Sequence, residues 1–200
     1  MATNTLTYID HLHGDVQSAS WEALALGAKF AAANDGECAA LILGHEIGDV
    51  AQEAFNYGAD RVFMADHPEL KDFRYEPFAD LVSQVAADYQ AAILLFPTTI
   101  RCRSLAGMAA VDLETGVLVD VVDLEMEDGK LLATRPIYAG KLLAKVLCEA
   151  QPQIATLRPR AFPTPEPAEG KSGETTEVEF APGEILTSVD DYTTREGDVS

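Results

Sequence analysis

The sequence is poor in the residues that would indicate a disulfide scaffold, a membrane span or a nucleic-acid surface. Its 200 residues include only three cysteines, an odd number without a CxxC pair, which argues against a disulfide framework and a zinc site. No apolar run approaches the ~20 residues that a membrane helix needs. Only 14 lysines and arginines stand against 33 acidic residues, and the net charge of -19 disfavours binding to nucleic-acid phosphates or anionic lipids.

Signatures of nucleotide binding and catalysis are also missing. The chain has no GxGxxG after its first predicted strand and no GxxxxGK[ST] motif. Gly44 and Gly48 follow the second predicted strand, where a turn glycine and a helix-entry glycine explain them better than a phosphate does. No nucleophile is paired with a base, so hydrolysis and proton transfer find no support. The N-terminus lacks the basic and long apolar segments of a secretory signal, which favours a cytoplasmic protein.

What the sequence does contain is a regular alternation of apolar runs and helical patterns up to about residue 113. Short apolar runs at 6–9, 38–43, 61–65 and 91–96 are separated by segments whose apolar residues recur at helical spacing. The run at 38–43 is apolar throughout, as a strand buried on both faces should be. This repetition predicts an α/β fold with three layers and a mostly parallel, Rossmann-like sheet.

After Leu113 the helical patterns stop. Five strand-like segments follow at 117–119, 121–126, 130–134, 142–147 and 154–157, and Asp128-Gly129 marks a hairpin turn between two of them. We expect these strands to form an antiparallel addition at the edge of the parallel sheet.

The last 38 residues differ in composition from the rest. Residues 163–200 carry ten acidic residues against two basic ones and contain four prolines, so they bury too little apolar surface to offset the entropy of ordering them. We therefore predict an α/β domain over residues 1–162 and an acidic, proline-containing linker or arm over 163–200. One short strand is possible within the arm, at 175–180.

The segment at 97–104 is a candidate anion site. It leaves the end of the fourth predicted strand and enters a helix, so hydroxyl groups, guanidinium groups and free helix N–H groups would converge there. The alternative is that Thr99 or Ser104 only caps the helix and the arginines offset the surplus of acid. The candidate residues are Thr98, Thr99, Arg101, Arg103 and Ser104.

Two further segments carry potential contact chemistry. The turn at 135–140 joins two predicted antiparallel strands and presents Arg135 and Tyr138, residue types that are enriched in interface hot spots. His11 and His13 place two imidazoles on one side of an extended segment, but no third ligand accompanies them, so no metal site is predicted.

Five segments in order resemble the electron-transfer flavoprotein α subunit, including its FixB-type members. The third predicted strand reads YGADRVF at 57–63 and is similar to the family's GAD-x-V strand. The others are FPTT at 96–99 with RSLA at 103–106, LETG at 113–116, RPIYAG at 135–140 and TLRPRAF at 156–162. The resemblance covers roughly residues 1–162 and extends weakly into the arm.

The resemblance implies an αβ heterodimer that carries FAD and passes electrons from dehydrogenases, such as an acyl-CoA dehydrogenase, to later acceptors. In this family the first α domain packs against the β subunit, and a second α domain binds FAD through a Ser-Gly-Gly-Arg-Gly type loop. No such loop occurs in this sequence. We therefore expect a docking domain without its own catalytic site or bound FAD, with 163–200 leading towards a missing FAD-binding domain.

Some family members hold a second flavin in the β subunit, near the first α domain. The resemblance makes Arg135 and Tyr138 candidates for contact with that flavin. Two other functions stay open at this point: an enzyme or sensor that binds an adenine nucleotide through 98–104, and a structural homodimer.

Overall fold

A seven-stranded parallel sheet forms the centre of the molecule. The computed structural model describes residues 3–192. The sheet order is β12-β5-β4-β1-β6-β11-β7 and every pairing in it is parallel. In chain order the elements are β1 (Thr5–Tyr8), β2 (His11–Leu12), β3 (Asp15–Val16), α1 (Ser18–Ala33), β4 (Cys38–Gly44), α2 (Gly48–Asn56), β5 (Arg61–Asp66), a 3₁₀ turn (Pro68–Leu70), α3 (Tyr75–Asp88), β6 (Ile93–Pro97), α4 (Ile100–Asp112), β7 (Val117–Val121), β8 (Asp123–Glu127), β9 (Lys130–Ile137), β10 (Leu142–Val146), β11 (Gln153–Leu157) and β12 (Glu174–Glu177).

Helices cover both faces of this sheet, so the predicted three-layer α/β fold is confirmed. Successive side chains of a strand point to opposite faces, and β4 illustrates the result. Leu41 and Leu43 lie in the core beneath α3 and α4, whereas Ala40 and Ile42 lie in the core beneath α1 and α2. All seven residues of β4 are buried, which explains why its sequence is apolar without alternation.

The antiparallel strands are present, but they do not extend the edge of the parallel sheet as predicted. β8, β9 and β10 form a separate three-stranded sheet. β7 and β11, which we expected among the antiparallel strands, pair in parallel within the main sheet. The change of sheet happens where Asp120 adopts a left-handed backbone (φ 60°) and Val122 N–H donates to Thr134 O at 2.9 Å. This bend turns the chain out of the main sheet.

The arm lies against the body along its described length, up to residue 192. Its predicted strand is confirmed: β12 pairs with β5 and becomes the outer strand of the main sheet, with Glu174 opposite Arg61. Residues 193–200 of the predicted arm lie outside the described residues. The division into a 1–162 domain and a 163–200 arm stays a prediction.

Within residues 3–192 there is no helix that is both long enough and apolar enough to cross a membrane.

Candidate functional site

The carboxyl ends of β1 and β6 mark the point where the sheet changes its direction of growth. β4 and β5 extend the sheet on one side of β1, and β6 and β11 extend it on the other. In open parallel sheets, ligands bind in the crevice at such a switch point. This crevice is therefore where a nucleotide site would be expected.

Side chains of the protein fill this crevice. Arg101 Nη2, from the first turn of α4, lies 2.8 Å from Asp10 Oδ1, and the Arg101 guanidinium stacks on the Phe73 ring at 5.5 Å from its centroid. The remaining volume is about 20 Å³, which holds about one water molecule. An adenine nucleotide does not fit there, so the nucleotide-binding alternative is not favoured.

His11 lines the same crevice and connects two backbone segments through its ring nitrogens. Its Nε2 lies 3.0 Å from Leu43 O, and its Nδ1 accepts a hydrogen bond from Gly14 N–H at 3.2 Å. This pattern assigns a neutral ring with the proton on Nε2. Burial lowers the pKa of His11 below its usual value of 6.5. Among the described residues no group of three or more His, Cys, Asp or Glu side chains is placed to hold a metal ion.

The structure divides the predicted anion residues between two sides of the start of α4. Thr99 caps the helix, since its hydroxyl oxygen accepts from Cys102 N–H at 3.2 Å. The Thr98 hydroxyl donates to Thr156 Oγ1 at 3.1 Å. Arg101 is engaged by Asp10, as described above. Ser104 is exposed.

Arg103 is on the other side of α4, where the positive charges of three arginines act on the carboxylate of Asp120. Arg158 Nε donates to Asp120 Oδ1 at 3.0 Å, and this hydrogen bond is the main reason that the pKa of Asp120 is lowered. The positive charges of Arg103 and Arg135 lower it further. We call these four residues the arginine cluster. Sequence reasoning named Arg103 and Arg135 as members of separate sites and missed the other two residues.

The arginine cluster retains unused hydrogen-bonding capacity. Arg135 Nε is buried, and it has no hydrogen-bond partner among the described residues. Three guanidinium groups against one carboxylate leave a local excess of positive charge in a chain whose net charge is -19. An anionic or carbonyl-bearing group of a ligand or partner would complement this charge.

Next to the cluster, the β9–β10 hairpin exposes an apolar surface. Tyr138 at its turn is 75% exposed, and on β10 and just after it Leu142, Leu143 and Leu147 are 55%, 68% and 50% exposed. β10 is also an edge strand of the small sheet, with β9 on its other side. We call these four residues the hairpin surface. At its turn, Tyr138 has a left-handed backbone (φ 50°). The sequence at 135–140 predicted a rigid turn but not this backbone conformation.

Comparison with known proteins identifies what this fold is similar to. The family model described as "Electron transfer flavoprotein domain" matches residues 5–182. The chain is 38% identical over 171 residues to Protein FixB of Azorhizobium caulinodans, which covers 83% of this chain and 46% of that protein. It is 30% identical over 185 residues, or 92% of this chain and 44% of the relative, to "Lactate dehydrogenase (NAD(+),ferredoxin) subunit LctC" of Acetobacterium woodii.

A third relative carries the α-subunit name itself. The chain is 26% identical over 185 residues to "Electron transfer flavoprotein subunit alpha" of Bacillus subtilis, which covers 92% of this chain and 56% of that subunit. The chain spans about half the length of these curated relatives. The match of the family model runs from β1 through β12 and ends at residue 182, so it includes the body and the first half of the arm. The resemblance predicted from the five sequence segments is thereby confirmed: the chain belongs to the electron transfer flavoprotein family and is of the FixB, or α-subunit, type.

Proposed function

We propose that this chain is the part of an electron-transfer flavoprotein α subunit that docks on a β subunit, within a complex that carries electrons on FAD. The hairpin surface is the observation that carries the proposal. Four large apolar side chains are exposed at the turn, on edge strand β10 and just after it, although the chain as a whole is strongly acidic. Exposed large apolar side chains grouped in one hairpin favour a role as a protein interface.

The proposed role places FAD in another part of the complex. The switch-point crevice is too small for a flavin, and the sequence has no Gly/Arg-rich flavin loop. FAD supplies the electron chemistry, and protein groups position it and tune its potential. On this basis the chain is a carrier subunit without a catalytic site of its own.

We further propose that Arg135 and Tyr138 contact a second flavin held by the β subunit. Arg135 supports this role because a guanidinium group can donate to the carbonyl and phosphate oxygens of a flavin, and Tyr138 in the same turn is 75% exposed. In the full complex, Arg135→Ala should reduce the content of a second flavin. Unchanged flavin content and reduction kinetics would argue against it.

The dehydrogenase that supplies electrons remains a matter of proposal. An acyl-CoA dehydrogenase is the partner that the family resemblance implies, while one relative is named as a subunit of a lactate dehydrogenase. Electron exchange between the purified complex and each dehydrogenase would decide between these two partners. The cytoplasmic location stays a prediction from the sequence.

Docking is tested by placing a charge on the hairpin surface. Leu143→Asp should weaken binding of the β subunit at least about tenfold, because an interface would have to desolvate the new carboxylate. Isothermal titration or co-purification of the two subunits measures this. The matched control is Leu186→Asp, which changes a similarly exposed leucine on the arm. Equal affinity for the Leu143 and Leu186 variants would refute docking through the hairpin.

A further inference from the structure

A second cavity lies on the opposite face of the sheet from α4, between α1 and the start of β8. Its volume is about 420 Å³, within the range of about 300–1,000 Å³ typical of small-molecule sites. One wall is the α1 stripe that includes Glu22 and Leu26, and the other walls include Leu124 and the segment at Phe162 and Pro163. The cavity is thus mostly apolar, with few polar groups.

Glu22 is the unusual member of this lining. Glu22 is only 3% exposed. Its Oε2 atom accepts a hydrogen bond from Arg160 N–H at 2.9 Å. No lysine, arginine or histidine nitrogen of the described residues lies within 4.0 Å of this carboxylate. A buried carboxylate without a cation is costly.

Among the described residues, one other carboxylate is comparably buried, that of Asp10, and it does have a cationic partner. Asp10, which is 1% exposed, lies 2.8 Å from a guanidinium nitrogen of Arg101. Glu22 differs because it borders a cavity large enough to admit a cation from outside. Arg160, whose backbone amide contacts Glu22, has a left-handed conformation (φ 64°), so Glu22 also stabilises the turn that forms one side of the cavity.

We propose that this cavity binds an organic cation, an ammonium or guanidinium group on a compact apolar body, with the charged group directed to Glu22. The apolar walls would cover the body of the ligand, and the cation would complete the carboxylate that Arg160 N–H satisfies only in part. Lys29 and Asp123 line the same cavity and are both exposed, so Lys29 opposes the entry of a cation and Asp123 favours it. The cation has two possible sources, a free small molecule or a basic side chain of a partner subunit.

Benzylammonium chloride is a suitable probe, with benzyl alcohol as its neutral counterpart. Nitrogen-15 NMR titration of the 200-residue chain should show saturable shifts near Glu22 and Phe162, with benzylammonium bound about tenfold or more tightly than benzyl alcohol. Glu22→Gln keeps an acceptor for Arg160 N–H and should remove this preference. Glu53→Gln, an exposed carboxylate on α2, is the matched control and should leave it intact.

A second variant keeps the proposal testable if Glu22→Gln does not fold. Lys29→Glu reverses the charge that opposes cation entry and should tighten benzylammonium binding several-fold. Absence of saturable shifts overturns the proposal, as does equal binding of amine and alcohol or an unchanged preference in Glu22→Gln. Repeating the titration on the complex with the β subunit distinguishes the two sources. Loss of probe binding there assigns the cavity to a partner's side chain, and retained binding assigns it to a free ligand.

Discussion

At the scale of single residues, the structure shows why Arg101 is unavailable to a ligand. Asp10 is buried at the end of β1, and its carboxylate has no well-aligned hydrogen bond among the described residues. Arg101 therefore supplies its main compensation. Burial, together with the nearby Asp10 charge, also raises the pKa of Cys102 above its usual value. In the crevice the positive charge of Arg101 is paired with the negative charge of Asp10. Arg101 is therefore not free to bind an anion together with Arg103, as the 98–104 segment predicted.

Removing Arg101 should destabilise the fold strongly. Arg101→Met leaves the Asp10 carboxylate buried and unpaired, so the free energy of unfolding should fall by about 3–5 kcal/mol. Urea denaturation followed by circular dichroism measures this. Arg103→Met on the same helix alters an exposed side chain and should change stability by less than about 0.5 kcal/mol. A similar loss in both variants would contradict the proposed importance of the buried pair.

At the scale of elements, the arm covers the edge of the sheet, and we call its part from Glu174 to Tyr192 the strap. Without β12, the N–H and C=O groups along β5 would form an open edge. Phe180 stacks on His67 with ring centroids 4.2 Å apart, and it packs with Val178 against the core beneath α3. Further along, the Thr187 hydroxyl donates to Glu76 at 2.7 Å and the Tyr192 hydroxyl donates to Asp72 at 3.0 Å.

Phe180 should control how firmly the strap is held. Phe180→Ala removes the His67 stacking, so amides of β12 should exchange with deuterium about tenfold faster, equivalent to about 1.4 kcal/mol of local opening. Hydrogen exchange with mass spectrometry resolves β12 from β1 and β4, which should not change. Val189→Ala, an exposed position on the same strap, is the control. Equal acceleration in β4 would mean that the whole domain, and not the strap, had been loosened.

At the scale of the whole molecule, charge and exposed apolar surface oppose each other. The net charge of -19 at pH 7 keeps copies of the chain apart. Near the isoelectric point of about 4.3 that repulsion vanishes, and the hairpin surface is free to associate with other copies. We therefore expect the hairpin surface, which we propose as a partner-binding surface at neutral pH, to promote aggregation in acid.

Light scattering should therefore rise as the pH approaches 4.3 from neutrality. Leu143→Asp should scatter less than the parent chain at that pH, because it reduces the exposed apolar patch. The Leu186→Asp variant, which carries the same charge change elsewhere, separates the effect of the patch from that of net charge. A parent chain that stays monodisperse at pH 4.3 would show that the hairpin surface is too weak to drive association.

Several features followed from local sequence alone. The run at 38–43 predicted a strand buried on both faces because every residue in it is apolar, and β4 is buried along its length. The run at 91–96 predicted the strand that the structure shows as β6. Helical spacing of apolar residues predicted α1 and α3. Thr99 was one of two hydroxyl residues predicted as possible caps of α4, and it is the one that caps it.

Other features were decided only by tertiary structure, because they depend on contacts between distant residues. β7 pairs in parallel with β11, which follows some thirty residues later. From the sequence we expected antiparallel pairing instead, because strand-like segments that follow each other closely usually form a hairpin. Arg101 and Arg103 differ by two positions, yet the helical rotation between them directs one to Asp10 and the other towards Asp120. The sequence by itself determined the strands, the helices and the family; the pairing of strands, the arginine cluster and the path of the strap required the folded chain, since each depends on which remote partner satisfies a charge or a backbone edge.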